Sequence, residues 1–330
     1  MKALLCKAYG KPDTLVLEDV PTPQPGPGEV LVAVHAAAVN FPDTLIIEDK
    51  YQFHPPLPFS PGGEAAGTVK ALGEGVQGYR VGDPVIAVCG WGGFAEEVVT
   101  DARKLVALPA GVSMDAAASL VITYGTTHYA LVERARLRAG ETLLVLGAAG
   151  GTGLSAVELG RHLGARVIAA ASSARKLALC HEYGADAGID YSREDLRERL
   201  RELTGGRGVD VVYDPVGGGY AEPALRSMAW KGRYLVIGFT AGEIPRPPLN
   251  LALLKGCSIV GVFYGRFREQ EPARAAELMQ ELTAWLASGR IRPAVTQRRP
   301  LEEAIAALEE VAARRAMGKI VLTTALGRRG

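Results

Sequence analysis

The sequence predicts an α/β protein in which a doubly wound parallel sheet is joined to a mostly β domain, and three observations carry that prediction. Its 330 residues suffice for two domains of ordinary size. Up to residue 123, short β-branched runs (EVLVAVHAAAV, AAGTVKAL, DPVIAV, FAEEVVT) alternate with turns such as PQPGPGE, the pattern of an antiparallel, barrel-like domain. From 124 to 263, apolar strands alternate with helical periodicity, and such alternation builds a parallel sheet with crossovers.

In order along that middle region, TLLVLGA, ARVIAAA, DAGID, VDVVYD, RYLVIG and SIVGVF read as strands, while LSAVELGRHLG and EDLRERLRELTG read as helices. The tail reads as a helix near 272–288, another at 301–314 and a final strand, GKIVLT, returning to the first domain. The expected division is therefore 1–123 with 264–330, and 124–263.

Bulk properties narrow the partners. Hydrophobic residues make up 48% and charged residues 22%, and no apolar run approaches the roughly 18 residues of a membrane span. MKALLCKAYGK lacks a signal-peptide core, so the expected location is cytoplasmic. With 37 basic against 36 acidic residues there is no electrostatic case for nucleic acid, which leaves a small molecule. Cys6, Cys89, Cys180 and Cys257 are too scattered for a disulfide framework or a zinc knuckle.

The strand TLLVLG runs into Ala148-Ala149-Gly150-Gly151-Thr152-Gly153 and then a helix. Backbone N–H groups at such a helix start attract a pyrophosphate, Gly150 permits its close approach, and Gly153 allows tight helix–strand packing. Ala148 stands where the dinucleotide fingerprint has its first glycine. An NAD site needs an acid about 20 residues further on for the ribose hydroxyls. Ala171 occupies that place, followed by Ser172, Ser173, Arg175 and Lys176, which suit a 2′-phosphate instead. The expected cofactor is NADPH.

Taken together, MKALLCKAYGKPDTLVLEDVP, VNFPDTLIIEDKYQFHPPLPFSPGGEAAGTV, GAAGGTG, YDPVGG and the terminal GKIVL make the chain similar to the medium-chain dehydrogenase/reductase superfamily. Specifically, it resembles the zinc-free quinone oxidoreductase branch, zeta-crystallin-like proteins included. The resemblance implies a Rossmann domain plus a GroES-like, mostly β catalytic domain. Zinc-bearing relatives have cysteine where this chain has Asn40, and G-H-E where it has Gly62-Gly63-Glu64, so no zinc is expected. Without that Lewis acid, electron-poor acceptors such as quinones or enones fit better than simple alcohols.

Residue by residue, the resemblance places Asn40 and its companion Asp43 near the nicotinamide and substrate, although Asn and Asp also cap helices. It gives Tyr51 a place in the substrate cleft as a proton donor, with core packing the alternative. Thr127 matches a threonine beside the nicotinamide carboxamide. Tyr191 and Lys176 match residues at the adenosine phosphate, and Gly217, Phe239 and Phe263 fall on loops at the carboxyl ends of strands. Lys319 matches a lysine reaching toward the cofactor, or is a solvated cation before the last strand. Two rival readings remain open: an NADPH-dependent enoyl-CoA or enone reductase, with Arg266 and Arg268 at the rim of its site, and a non-catalytic, crystallin-like NADPH-binding protein. The resemblance also implies a homodimer joined through the edge strand SIVGVF.

Overall fold

The computed structural model describes residues 1–328. The chain forms two compact units, Met1–Ile122 together with the chain from Glu281 on, and Thr123–Gln280. In chain order the first unit begins with β1 (Lys2–Leu5), β2 (Val16–Asp19), β3 (Glu29–Ala38), β4 (Ala65–Leu72), β5 (Pro84–Ala87), β6 (Glu97–Asp101) and β7 (Leu105–Ala107). The second unit holds β8 (Thr142–Leu146), β9 (Arg166–Ala171), β10 (Ala187–Asp190), β11 (Val209–Asp214), β12 (Met228–Val236) and β13 (Ser258–Gly261). The chain then completes the first unit with β14 (Val295–Pro300) and β15 (Lys319–Thr323).

In the first unit the strands run in the order β14-β15-β3-β4-β5-β7, with β6 also pairing β3. The final strand does return to the first domain, since β15 lies antiparallel to β3 with Val321 opposite Ala38. Alternation decides the core: Val30, Val32 and Val34 of β3 point inward against Val69, Val85, Phe94 and Ile320. Ala304, Ala307 and Leu308 of the helix Ala304–Ala312 close the same cluster.

The second unit is the expected doubly wound sheet, six parallel strands in the order β10-β9-β8-β11-β12-β13. The order reverses between β8 and β11, and loops at the carboxyl ends of these strands flank the crevice where such sheets bind ligands. Strands buried on both faces need continuous apolar sequence, and TLLVL of β8 is buried at every position.

The division between units falls at Gln280, inside the helix Pro272–Ala287, rather than at residue 263. Side-chain anchoring explains the difference: Phe267 stacks on Tyr129 at 4.2 Å between centroids, and Arg274 pairs with Glu133 at 2.5 Å. Those contacts tie residues 264–280 to the parallel-sheet unit.

Candidate functional site

In the second unit the glycine loop links β8 to the helix Gly151–His162. The left-handed residue that turns the chain is Gly147, with φ of 58°, one position before Ala148, so the alanine at the fingerprint's first place costs nothing. A Cβ on Gly153 would lie 2.3 Å from Gly147 O, which enforces the tight helix–strand packing expected of it. A Cβ on Gly150 would meet nothing nearer than Gly147 O at 3.5 Å, so the backbone there faces open space. Gly151 and Thr152 open the helix, and Ala149 is buried beneath the turn. Free N–H groups at a helix start beside a cradle without side chains fit an anionic group.

At the carboxyl end of β9, Ala171 is buried and Ser173 caps the next helix, Ala174–Glu182, by accepting the Lys176 N–H at 3.3 Å. Lys176 Nζ donates to Ser172 Oγ at 3.1 Å, so a cation and a hydroxyl converge beside the acid-free position. Arg175 is exposed on the first turn of that helix. Tyr191 follows β10, its N–H donating to Ala171 O at 3.1 Å, and its ring packs on Tyr220.

The loops after β11 and β12 are zipped together by Thr240 N–H to Pro215 O and Ala241 N–H to Val216 O. Gly217 has φ of 66°, and a Cβ there would strike Phe239 at 2.9 Å, so these two predicted residues pack on each other. Sequence reading missed the node of this arrangement, Asp214. Its buried carboxylate accepts the Val216 and Gly217 N–H groups at 2.7 and 2.8 Å and the Tyr234 hydroxyl, and burial raises its pKa. The signal was present as an aspartate followed by Pro, Val and three glycines at a strand end, the makings of a side-chain-closed turn. Phe263 is half exposed at the start of the helix Tyr264–Gln270.

Thr127 lies in a buried hydroxyl network. It is fully buried on the helix Val121–His128, with Oγ1 2.7 Å from Ser155 Oγ and 2.9 Å from Tyr213 OH. Ser155 Oγ donates in turn to Thr152 O at 2.8 Å. Tyr213, Thr127 and Ser155 thus form a hydroxyl chain that reaches the glycine loop at Thr152 O.

In the first unit, Asn40, Asp43, Glu64 and Lys319 meet in one buried cluster. Asn40 Nδ2 donates to Ala38 O at 3.2 Å and Glu64 Oε1 at 3.0 Å, while its Oδ1 accepts Lys319 Nζ at 2.6 Å. Asp43 accepts the Asn40 N–H at 2.7 Å and the Gly63 N–H at 3.2 Å, which makes it a helix-start cap for Phe41–Ile46. Glu64 Oε2 accepts the Ile122 N–H at 2.9 Å.

Lys319 is not the solvated cation that one reading of the sequence offered: it is 3% exposed, and its ammonium faces three acceptors, Val39 O, Asn40 Oδ1 and Glu64 Oε1. Burial pushes Asp43 up to about 7, raises Glu64 and lowers Lys319, while the opposite charges within the cluster pull each back. Both ends of the Asn40 carboxamide are held by these contacts. Tyr51 is half-buried and edge-on to Phe53 at 5.5 Å. Burial, and then the charge of Asp43, hold its phenol protonated.

Residues 26–110 match the family described as alcohol dehydrogenase GroES-like domain, and 151–281 that described as zinc-binding dehydrogenase. The chain is 41% identical to "Quinone oxidoreductase-like protein 2" of Bos taurus, over 98% of this chain and 92% of that one. It is 37% identical to a quinone oxidoreductase of Pseudomonas aeruginosa, over 97% and 99%. Among solved structures, the Escherichia coli quinone oxidoreductase complexed with NADPH superposes with a TM-score of 0.90 at 31% identity, covering 98% of this chain and all of the other.

The donor set does not fit the zinc named in the second family. An amide, an ammonium, one carboxylate already bound to that ammonium and a second, Asp43, taken up by the Asn40 and Gly63 N–H groups do not make three open protein ligands, and Lys319 brings its own positive charge to Glu64. Among the described residues no group of three or more His, Cys, Asp or Glu side chains could hold a metal ion. Sequence, sheet order and relatives agree: the chain is an oxidoreductase of the medium-chain dehydrogenase/reductase superfamily and belongs to its zinc-free quinone oxidoreductase branch.

Proposed function

We propose that the protein is an NADPH-dependent quinone oxidoreductase that reduces quinones or other conjugated carbonyls without zinc. The observation that carries the cofactor is Lys176 converging with Ser172 beside the acid-free Ala171, a donor set for a 2′-phosphate. NADPH, when bound, supplies the hydride. The helix start at Gly150–Gly153 binds the pyrophosphate, and the Asp214 node fixes the height of the Gly217 and Phe239 loops beside it. Tyr51, kept protonated, is the available donor of a hydrogen bond or proton to charge developing on the acceptor oxygen. Arg266 is paired with Glu269 and Arg268 lies over the Tyr264 ring, and the acceptor panel below decides whether they serve a thioester.

Steady-state NADPH oxidation is expected with a panel of quinones and not with crotonyl-CoA. Turnover on the thioester alone would overturn the acceptor assignment, and tight NADPH binding without turnover on any electrophile would turn the protein into a nucleotide binder.

Self-association belongs to the same proposal. β13 pairs only with β12 among the described strands; Ile259 on it is exposed, as are Trp230, Ile244, Leu249, Leu253 and Leu254 in the chain leading to it, Leu253 being 80% exposed. An apolar free edge calls for cover, and a second copy of the same strand completes the sheet symmetrically. Sedimentation at micromolar concentration is expected to give a dimer, and the paired changes Leu253→Asp and Ile259→Lys a monomer. A monomeric unaltered chain would refute the assembly.

A further inference from the structure

β10 and β11 are separated in the sheet by β9 and β8. Three strand spacings put their carboxyl ends roughly 14 Å apart. Yet the residue that follows β10, Tyr191, and the residue that closes the short turn after β11, Tyr220, are in ring contact, with centroids 4.4 Å apart and planes inclined at 43°. Two loops therefore lean toward each other over the ends of the intervening strands. Gly217 and Gly218, both with positive φ, give the second loop the backbone path that delivers Tyr220 there. Neither ring is lost in the core: both are half-buried, resting on the cluster that includes Ile189, Leu196, Val216 and Ala221.

Tyr191 stands next to the phosphate candidates, because Asp190 is opposite Ala171 in the strand register and the Tyr191 N–H bonds Ala171 O. The direction of its phenol is set by what its ring packs on, and beside the apolar cluster beneath it one such surface is the Tyr220 ring. We propose that Tyr220 is a specificity-determining positioning residue: by packing on Tyr191 it sets the hydroxyl that, with Ser172 and Lys176, distinguishes a dinucleotide carrying a 2′-phosphate from one without it. This rests on the NADPH reading given above. Tyr220 acts through its neighbour, so its loss is felt in proportion to the phosphate and not to the dinucleotide as a whole.

The test is fluorescence titration of the intact protein with NADPH and with NADH. For Tyr220→Ala, and for Tyr220→Leu, which keeps apolar bulk without a ring, the NADPH Kd is expected to rise roughly 3- to 10-fold, the range of an aromatic pair. The NADH Kd is expected to stay within about twofold, and Tyr220→Phe to leave both constants within about twofold, since the ring alone is needed. An unchanged NADPH Kd in the Ala and Leu variants, or equal losses for both cofactors, would overturn the role of Tyr220 while leaving the cofactor reading intact. An unaltered protein that binds NADH as tightly as NADPH would overturn both, and the two failures are told apart by that first titration.

Discussion

Replacing Lys176 with alanine is expected to weaken NADPH binding by roughly 10- to 150-fold, the loss of a charge-assisted contact worth about 1.5–3 kcal/mol. NADH binding is expected to stay within about twofold, because NADH carries no 2′-phosphate for this lysine to meet. The direction follows from the geometry at the end of β9. Lys176 Nζ lies on Ser172 Oγ at 3.1 Å, one helical turn beyond a buried alanine that has nothing to offer a ribose hydroxyl. The carboxylate opposite Ala171 in register, Asp190, does not take over that role. Its Oδ1 accepts both the N–H and the hydroxyl of Ser192, at 3.1 and 2.6 Å, and the Ser192 hydroxyl bond lowers its pKa. Paired titrations of the two cofactors check the prediction, and equal losses for both would assign Lys176 to the helix rather than to the phosphate.

The features legible in the sequence are those encoded locally. The strand rhythm gave the parallel sheet, and a glycine run between strand and helix gave the loop. The absent acid at Ala171 and the nearby Lys176 lie within one short segment. What escaped depends on residues far apart in the chain. Lys319 meets Asn40 across 279 positions and Glu64 across 255, and a lysine opening a terminal strand ordinarily reads as solvated. Its signal was indirect: KIVLT is buried at every position, so the cation that begins it needed a carboxylate inside the fold. The hydroxyl partners of Thr127 escaped for a related reason. A threonine on a short helix says nothing of the Tyr213 and Ser155 hydroxyls that topology brings to it. The domain division shifted because Phe267 and Arg274 find their partners in Tyr129 and Glu133, more than a hundred residues earlier.

Lys319→Met is expected to destabilise the protein by about 3–5 kcal/mol at neutral pH, the cost of leaving buried carboxylates without their cation. The double variant Lys319→Met with Glu64→Gln is expected to lose less than the sum of the two single losses, because it removes the unpaired charge together with its partner. The cost should also depend on pH. Asp43, raised from 3.8 to about 7, keeps a proton in the folded protein that the unfolded chain has released. Its contribution to stability is complete below pH 3.8 and is lost as pH rises through about 7. Removing the ammonium pushes Asp43 and Glu64 higher still, which carries that loss to higher pH. Urea unfolding at pH 5 and pH 8 is therefore expected to show a smaller penalty for Lys319→Met in acid, where the carboxyl groups are protonated, with a limiting slope of about 1.4 kcal/mol per pH unit for each proton involved. Asp43→Asn would remove its own share of the slope. A penalty below about 0.5 kcal/mol, or one that ignores pH, would mean that Lys319 and Glu64 do not act as a coupled pair. Because the same ammonium fixes the Asn40 carboxamide, a coupled pair also means that the last strand carries the charge that holds this buried cluster together.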